Sequence, residues 1–120
     1  MQEISGISER LYTELWVSLA SLLRSYTAAH GLNRTEQAMV ELGEHKLTVR
    51  VATRWLHLNR EGARFTWARE NGAEGSLQFT VDGRLKAPNG VEEEMDMQAE
   101  AWAREIMHEP KPSHTPEARS

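Results

Sequence analysis

The feature that most constrains this chain is a change of hydrophobic period, made twice. Between about Ser8 and His30 the large apolar residues recur at helical spacing, between Leu47 and Val81 they alternate, and beyond Pro88-Asn89-Gly90 helical spacing returns. A helical period buries one stripe of a helix, whereas alternation buries one face of a strand. The expected architecture is therefore α+β: an N-terminal helix, a four-stranded antiparallel sheet and a C-terminal helix, with both helices packed on one sheet face.

On a helical wheel Leu11, Leu22, Leu15, Tyr26, Leu19, Tyr12, Leu23 and Trp16 fall within an arc of about 140°. A helix lying on one sheet buries about 100° of its surface. The excess, marked by Trp16 and Leu23, needs a further cover, either the C-terminal helix or a second copy of the chain. Gly31 is expected to end this helix in the left-handed conformation, with Leu32 folded back onto its last turn.

The strands are read from Leu47, Val49 and Val51; from Leu56 and Leu58; from Phe65 and Trp67; and from Leu77, Phe79 and Val81. Glu61-Gly62 and Asn71-Gly72 supply tight turns between them, and Asp82-Gly83 opens another reversal. Residues 36–42 suit a helical turn or an extended segment; the extended reading enters the first strand through a bulge at Gly43. Val91, Met95, Ala99, Trp102 and Ile106 form the stripe of the C-terminal helix, whose first turn then holds Glu92-Glu93-Glu94 beside the helix dipole. In the alternative, Asp96 caps a shorter helix and residues 91–95 form a fifth strand. Residues 1–109 read as one domain and 110–120, Pro-rich and without a large apolar group, as a disordered tail.

Composition excludes more than it identifies. At 120 residues, with 39% hydrophobic and 27% charged, the chain suits one core and is neither membrane-embedded nor disordered. Its longest apolar run, Leu15 to Leu23, is too short to span a bilayer. The acidic first residues are unlike a signal peptide, and the lack of cysteine removes disulfides, thiolate metal sites and cysteine nucleophiles. These point to a cytoplasmic protein without a membrane partner. No glycine-rich phosphate loop and no serine elbow occurs, and the five histidines include no pair at helical metal-ligand spacing. No catalytic residue, metal ligand or cofactor is assigned, and an enzyme ranks behind a binding protein.

Charge supplies the functional candidates. The net of -4 divides into -3 over residues 1–44, +5 over 45–69 and -6 over 70–120. If the alternating apolar residues face the helices, Lys46, Thr48, Arg50, Trp55, His57, Arg64, Thr66, Gln78 and Thr80 face away. That face is basic, contains no carboxylate among those positions, and carries an aromatic that is costly to leave in water. Lys46, Arg50, Trp55, His57 and Arg64 are the candidate binding residues; Trp16, Leu23 and Trp55 are the candidate interface residues. The leading expectation is a non-enzymatic protein-interaction or adaptor module, a homodimer with Trp55 as anchor. The alternative is an anionic-ligand or nucleic-acid binder that stacks on Trp55. A plainer reading has Trp55 lying across the aliphatic stems of Arg50 and Arg64.

Overall fold

A computed structural model describes residues 2–32 and 34–108, with side chains from Ser8 onward. The order is α1 (Gln2–His30), β1 (Met39–Leu42), β2 (Lys46–Val51), β3 (Arg54–Glu61), β4 (Arg64–Arg69), β5 (Glu74–Phe79), β6 (Arg84–Lys86), β7 (Glu92–Glu94) and α2 (Met95–Met107). All seven strands form one antiparallel sheet in sequence order, each paired with the next. The tail expectation for 110–120 falls outside the described residues.

The expectation of four strands is therefore wrong by three. Strands β1, β6 and β7 hold three or four residues each, short enough that alternation alone does not decide them; β1 realises the extended reading of 36–42 and β7 lies within the fifth-strand alternative for 91–95. Backbone pairing makes them strands. Glu92, Glu93 and Glu94 are all exposed and pair with Lys86, Leu85 and Arg84, so the acidic run is an edge strand and not a helix start. Helix α2 begins at Met95, and Val91 is exposed rather than part of its stripe. Gly43 is no bulge: it sits in the three-residue loop that turns β1 back onto β2, its N–H donating to Lys46 O at 2.7 Å. Strand β5 stops at Phe79, leaving Val81 74% exposed in the next turn.

The helix stop at Gly31 also has a different cause. Gly31 is not among the residues with positive φ, and Leu32 is 71% exposed, so no fold-back occurs. A Cβ at Gly31 would instead meet Thr27 O at 3.0 Å and Met107 Cε at 3.2 Å. Glycine is needed there because α2 ends against it.

Both helices cover the same sheet face. Trp16, Leu19 and Leu23 of α1 and Ala99, Trp102 and Ile106 of α2 pack on Leu47, Val49, Leu56, Leu58, Phe65, Phe79 and Leu85. Each buried Leu, Val or Phe contributes roughly 1.5–3 kcal/mol relative to exposure. Aromatic rings bridge the layers: Trp16 to Phe65 at 5.9 Å, Phe65 to Phe79 at 5.2 Å, and Trp67 edge-on to Trp102 at 5.8 Å. The wide arc of α1 is thus closed within one chain. Trp16 is 1% exposed and Leu23 0%, with the indole N–H of Trp16 donating to Gly43 O at 2.9 Å. Both are core residues, so neither is available as an interface anchor.

Candidate functional site

The alternation of β2, β3 and β4 divides their side chains strictly. Leu47 pairs with Leu58 and Val49 with Leu56 on the helix side; Lys46 pairs with Asn59, Thr48 with His57 and Arg50 with Trp55 on the outer side. The outer face continues through Thr66 and Ala68 of β4 and Ser76 and Gln78 of β5. All five candidate binding residues lie on it, but in two groups. Arg50, Trp55 and His57 sit toward the β2–β3 turn, where the rings of Trp55 and His57 stack at 4.3 Å with a 23° interplanar angle. Lys46 and Arg64 sit toward the opposite end, Lys46 beside Asn59 and Arg64 beside Glu61. Trp55 therefore neighbours Arg50 and not Arg64.

Charge on this face differs from the sequence reading. The short strands, together with the ends of β3 and β5, bring carboxylates to it that the alternating stretches leave out. Glu41 of β1 bonds Arg50 at 2.9 Å, Glu94 of β7 bonds Arg84 at 3.0 Å, and Glu61 and Glu92 stand directly opposite Arg64 and Lys86. With Glu74, the register places five carboxylates against Lys46, Arg50, Arg64, Arg84 and Lys86, so the face is a balanced mosaic.

The missing positive charge has turned inward. Of the six basic residues between 45 and 69, Arg54, Arg60 and Arg69 have helix-side parity. Arg60, its side chain 2% exposed, donates to Gly62 O at 3.0 Å and to Thr13 Oγ1 of α1 at 3.2 Å, with its guanidinium 5.7 Å from the Trp16 ring. Arg69, 3% exposed, donates to Trp55 O at 3.1 Å and lies 3.7 Å from Glu105 of α2. Arg54 donates to Ile106 O at 2.6 Å, taking one of the carbonyls that the end of α2 leaves without a helical partner. Glu70 completes this layer: it accepts from Trp55 N–H at 3.0 Å and from Arg69. Burial opposes its ionisation, yet these bonds hold its carboxyl below the usual range. Strand parity was the signal that could have found these arginines; counting charge along the chain hid it.

Three shallow hollows mark the outer face. One of about 290 Å³ is lined by Arg64, Ser76, Gln78, Lys86 and Pro88, and one of about 480 Å³ by His57, Asn59, Thr66, Ala68, Glu74, Ser76 and Pro88. A third, of about 330 Å³, lies by Glu61, Arg64 and Gln78. Their polar groups are hydroxyls, amides, opposed charges and the His57 imidazole, and among the described residues no hydrogen bond joins that ring to a hydroxyl. Asp82 bonds the Thr80 hydroxyl, which holds its carboxyl below the usual range, and it serves the β5–β6 turn. Among the described residues no group of three or more His, Asp or Glu is placed to hold a metal ion. No described helix is long and apolar enough to cross a membrane.

No family model, curated protein or solved structure matches the chain. The functional reading rests on its own geometry.

A second polar cluster was missed in the sequence. The C-terminal ends of α1 and α2 meet, and there His30 Nδ1 lies 2.9 Å from His108 Nε2, with His30 Nε2 2.9 Å from Glu100. Arg34 bonds His108 Nδ1, and Arg104 bonds the other oxygen of Glu100. The two histidines are 78 residues apart in sequence, so no local spacing announces the contact.

Proposed function

We propose that this chain is a non-enzymatic protein-interaction module that assembles as a homodimer through its outer sheet face, with Trp55 at the centre of the contact. The observation that carries this reading is the Trp55–His57 stack on a face that neither helix covers. Aromatic side chains are enriched at the cores of protein interfaces, and unbalanced charge is depleted there. A face with equal numbers of carboxylates and cations carries no net charge to repel a second copy, which suits self-association better than a partner of one strong charge.

The test is light scattering of wild type and Trp55→Ala across a concentration series. A wild-type dimer converted to monomer by Trp55→Ala, with circular dichroism unchanged, supports the reading. A wild-type protein that stays monomeric at high micromolar concentration rejects it.

A second reading is supported by the 290 Å³ hollow, where Arg64 and Lys86 stand beside Ser76 and Gln78. No described residue forms an ion pair with either cation within 4.0 Å. This arrangement suits an anionic ligand. Binding to a single-stranded oligonucleotide that falls steeply with salt, and that Arg64→Ala weakens, would favour it over the dimer. The balance of charge over the whole face weighs against an extended anionic polymer.

A further inference from the structure

We infer that the two helices are clasped at their C-terminal ends by a one-way hydrogen-bond chain that exists only while His30 and His108 are both neutral, so that acidification releases Arg34 and its loop. The cluster lies apart from the outer sheet face and does not depend on the function proposed for it.

The direction of the chain follows from one residue. Arginine only donates, so the contact of Arg34 with His108 Nδ1 requires that nitrogen to be the acceptor. In the neutral ring His108 then carries its proton on Nε2, which donates to His30 Nδ1. His30 in turn carries its proton on Nε2 and donates to the Glu100 carboxylate. Arg104 donates to the same carboxylate from the other side. Every donor meets an acceptor along the line Arg34, His108, His30, Glu100, and both tautomers are determined.

One added proton cannot be accommodated without a break. The charged groups that meet the two rings are Arg34 from the loop after α1, and Glu100 and Arg104 from α2; among the described residues the sheet brings none within bonding distance. His30 faces the Glu100 carboxylate and lies at two helix C-termini, whereas His108 faces the Arg34 guanidinium. A proton held by His30 reverses the central bond: His30 Nδ1–H donates to His108 Nε2, the proton of His108 moves to Nδ1, and that N–H then points at the guanidinium. Two donors face each other, and the Arg34 contact is lost. In line with this, partial desolvation and the positive charge of Arg34 hold His108 below the ordinary imidazole range.

Arg34 belongs to the connection between α1 and the edge strand β1, and its backbone N–H donates to Gly31 O at 3.1 Å. Unclasping therefore loosens the segment that leads into one edge of the sheet. The double variant His30→Gln/His108→Gln is the informative one. Two glutamine amides reproduce the line, the amide at position 108 accepting from Arg34 and donating to the amide at position 30, which donates to Glu100, and neither titrates.

The experiment is long-range 1H–15N NMR of the imidazoles at pH 7.5, with hydrogen exchange of the Arg34 amide at pH 7.5 and 5.0 after correction for intrinsic rate. The expected result is an Nε2–H tautomer for both rings at pH 7.5, and a corrected exchange rate for Arg34 about tenfold or more faster at pH 5.0. In His30→Gln/His108→Gln that acceleration should vanish. An Nδ1–H tautomer at His108 in the wild type overturns the inference, and so does an acceleration of equal size in the double variant.

Discussion

The two faces of the sheet carry the same kinds of residue and use them in opposite ways. Arg60 and Arg64 stand four positions apart on adjoining strands, each directly opposite a residue of the other's strand. Arg60 is enclosed between α1 and the sheet and fastens the two together; Arg64 stands in water beside Glu61. Trp16 and Trp55 form a second such pair, one 1% exposed in the core, the other half-buried on the outer face. Composition predicts nothing about which role a residue plays. Strand parity and the position of the helices decide it, and an arginine on the covered side acts as a cross-brace because burial requires its donors to find acceptors.

The largest effect should separate the tryptophans. Trp16→Ala removes an enclosed ring packed on Phe65 and strands Gly43 O, and should cost about 3–5 kcal/mol in chemical denaturation. Trp55→Ala should cost about 1 kcal/mol or less, since its loss is confined to the stack with His57. Equal losses at the two sites would mean that the outer face is as tightly packed as the core and would remove the distinction.

The arginines come next. Arg60→Ala should destabilise by about 3 kcal/mol, whereas Arg64→Ala should stay within about 0.5 kcal/mol. A sharper version is Arg60→Met. The Nε of Arg60 is buried without an acceptor, and apolar replacements of buried ionic groups are often neutral or better. Arg60→Met should therefore recover most of the loss seen in Arg60→Ala. Failure to recover would show that the bonds to Thr13 and Gly62, and not the filled volume, hold α1 in place.

How much of this was legible in the sequence follows the same line. Alternation over Leu47–Val51 and Leu56–Leu58 is long enough to assign inward and outward residues, and the helix stripes are wide enough to mark α1 and α2. The short strands are legible only in part: β1 realises the extended reading of 36–42 and β7 the fifth-strand alternative for 91–95, while β6 is held by backbone pairing without a pattern, and Glu92–Glu94 has the composition of a helix start. The outer face reads as basic from sequence because Glu61 and Glu74 lie at the ends of β3 and β5, outside the alternating stretches, and Glu41, Glu92 and Glu94 arrive from β1 and β7. The buried arginines were hidden by summing charge along 45–69 instead of by parity, and the histidine clasp joins ends of the fold that nothing local connects.

A glycine tests the covered face again at smaller scale. Gly75 stands opposite Trp67, and a Cβ there would come within 2.8 Å of the Trp67 ring. Since Trp67 is also held edge-on by Trp102 of α2, the ring has little room to move. Gly75→Ala should cost about 1–3 kcal/mol as an overpacking change, and the loss should be visible in the near-ultraviolet signal of the tryptophans. The outer-face counterpart, Ser76→Ala, should change stability by less than about 0.5 kcal/mol.

The smallest change should raise stability instead of lowering it, and it lies where the two faces meet. Strands β2 and β3 join through Ala52-Thr53, and Ala52 has φ 55°, the left-handed region in which a Cβ crowds the following carbonyl. That conformation costs a non-glycine residue roughly 1–2 kcal/mol, offset in part by the greater entropy that glycine loses on folding. Ala52→Gly should therefore stabilise by about 0.5–1 kcal/mol, read as a shift of the denaturation midpoint at constant slope. The turn sets the register that places Arg50 beside Trp55 outside and Val49 beside Leu56 inside. A substitution that relaxes the turn and keeps this register leaves both faces intact, so self-association should be unchanged in Ala52→Gly. If association weakened while stability rose, the strained turn itself would be part of what Trp55 presents to its partner, and the outer face would resemble the inner one in depending on exact backbone placement.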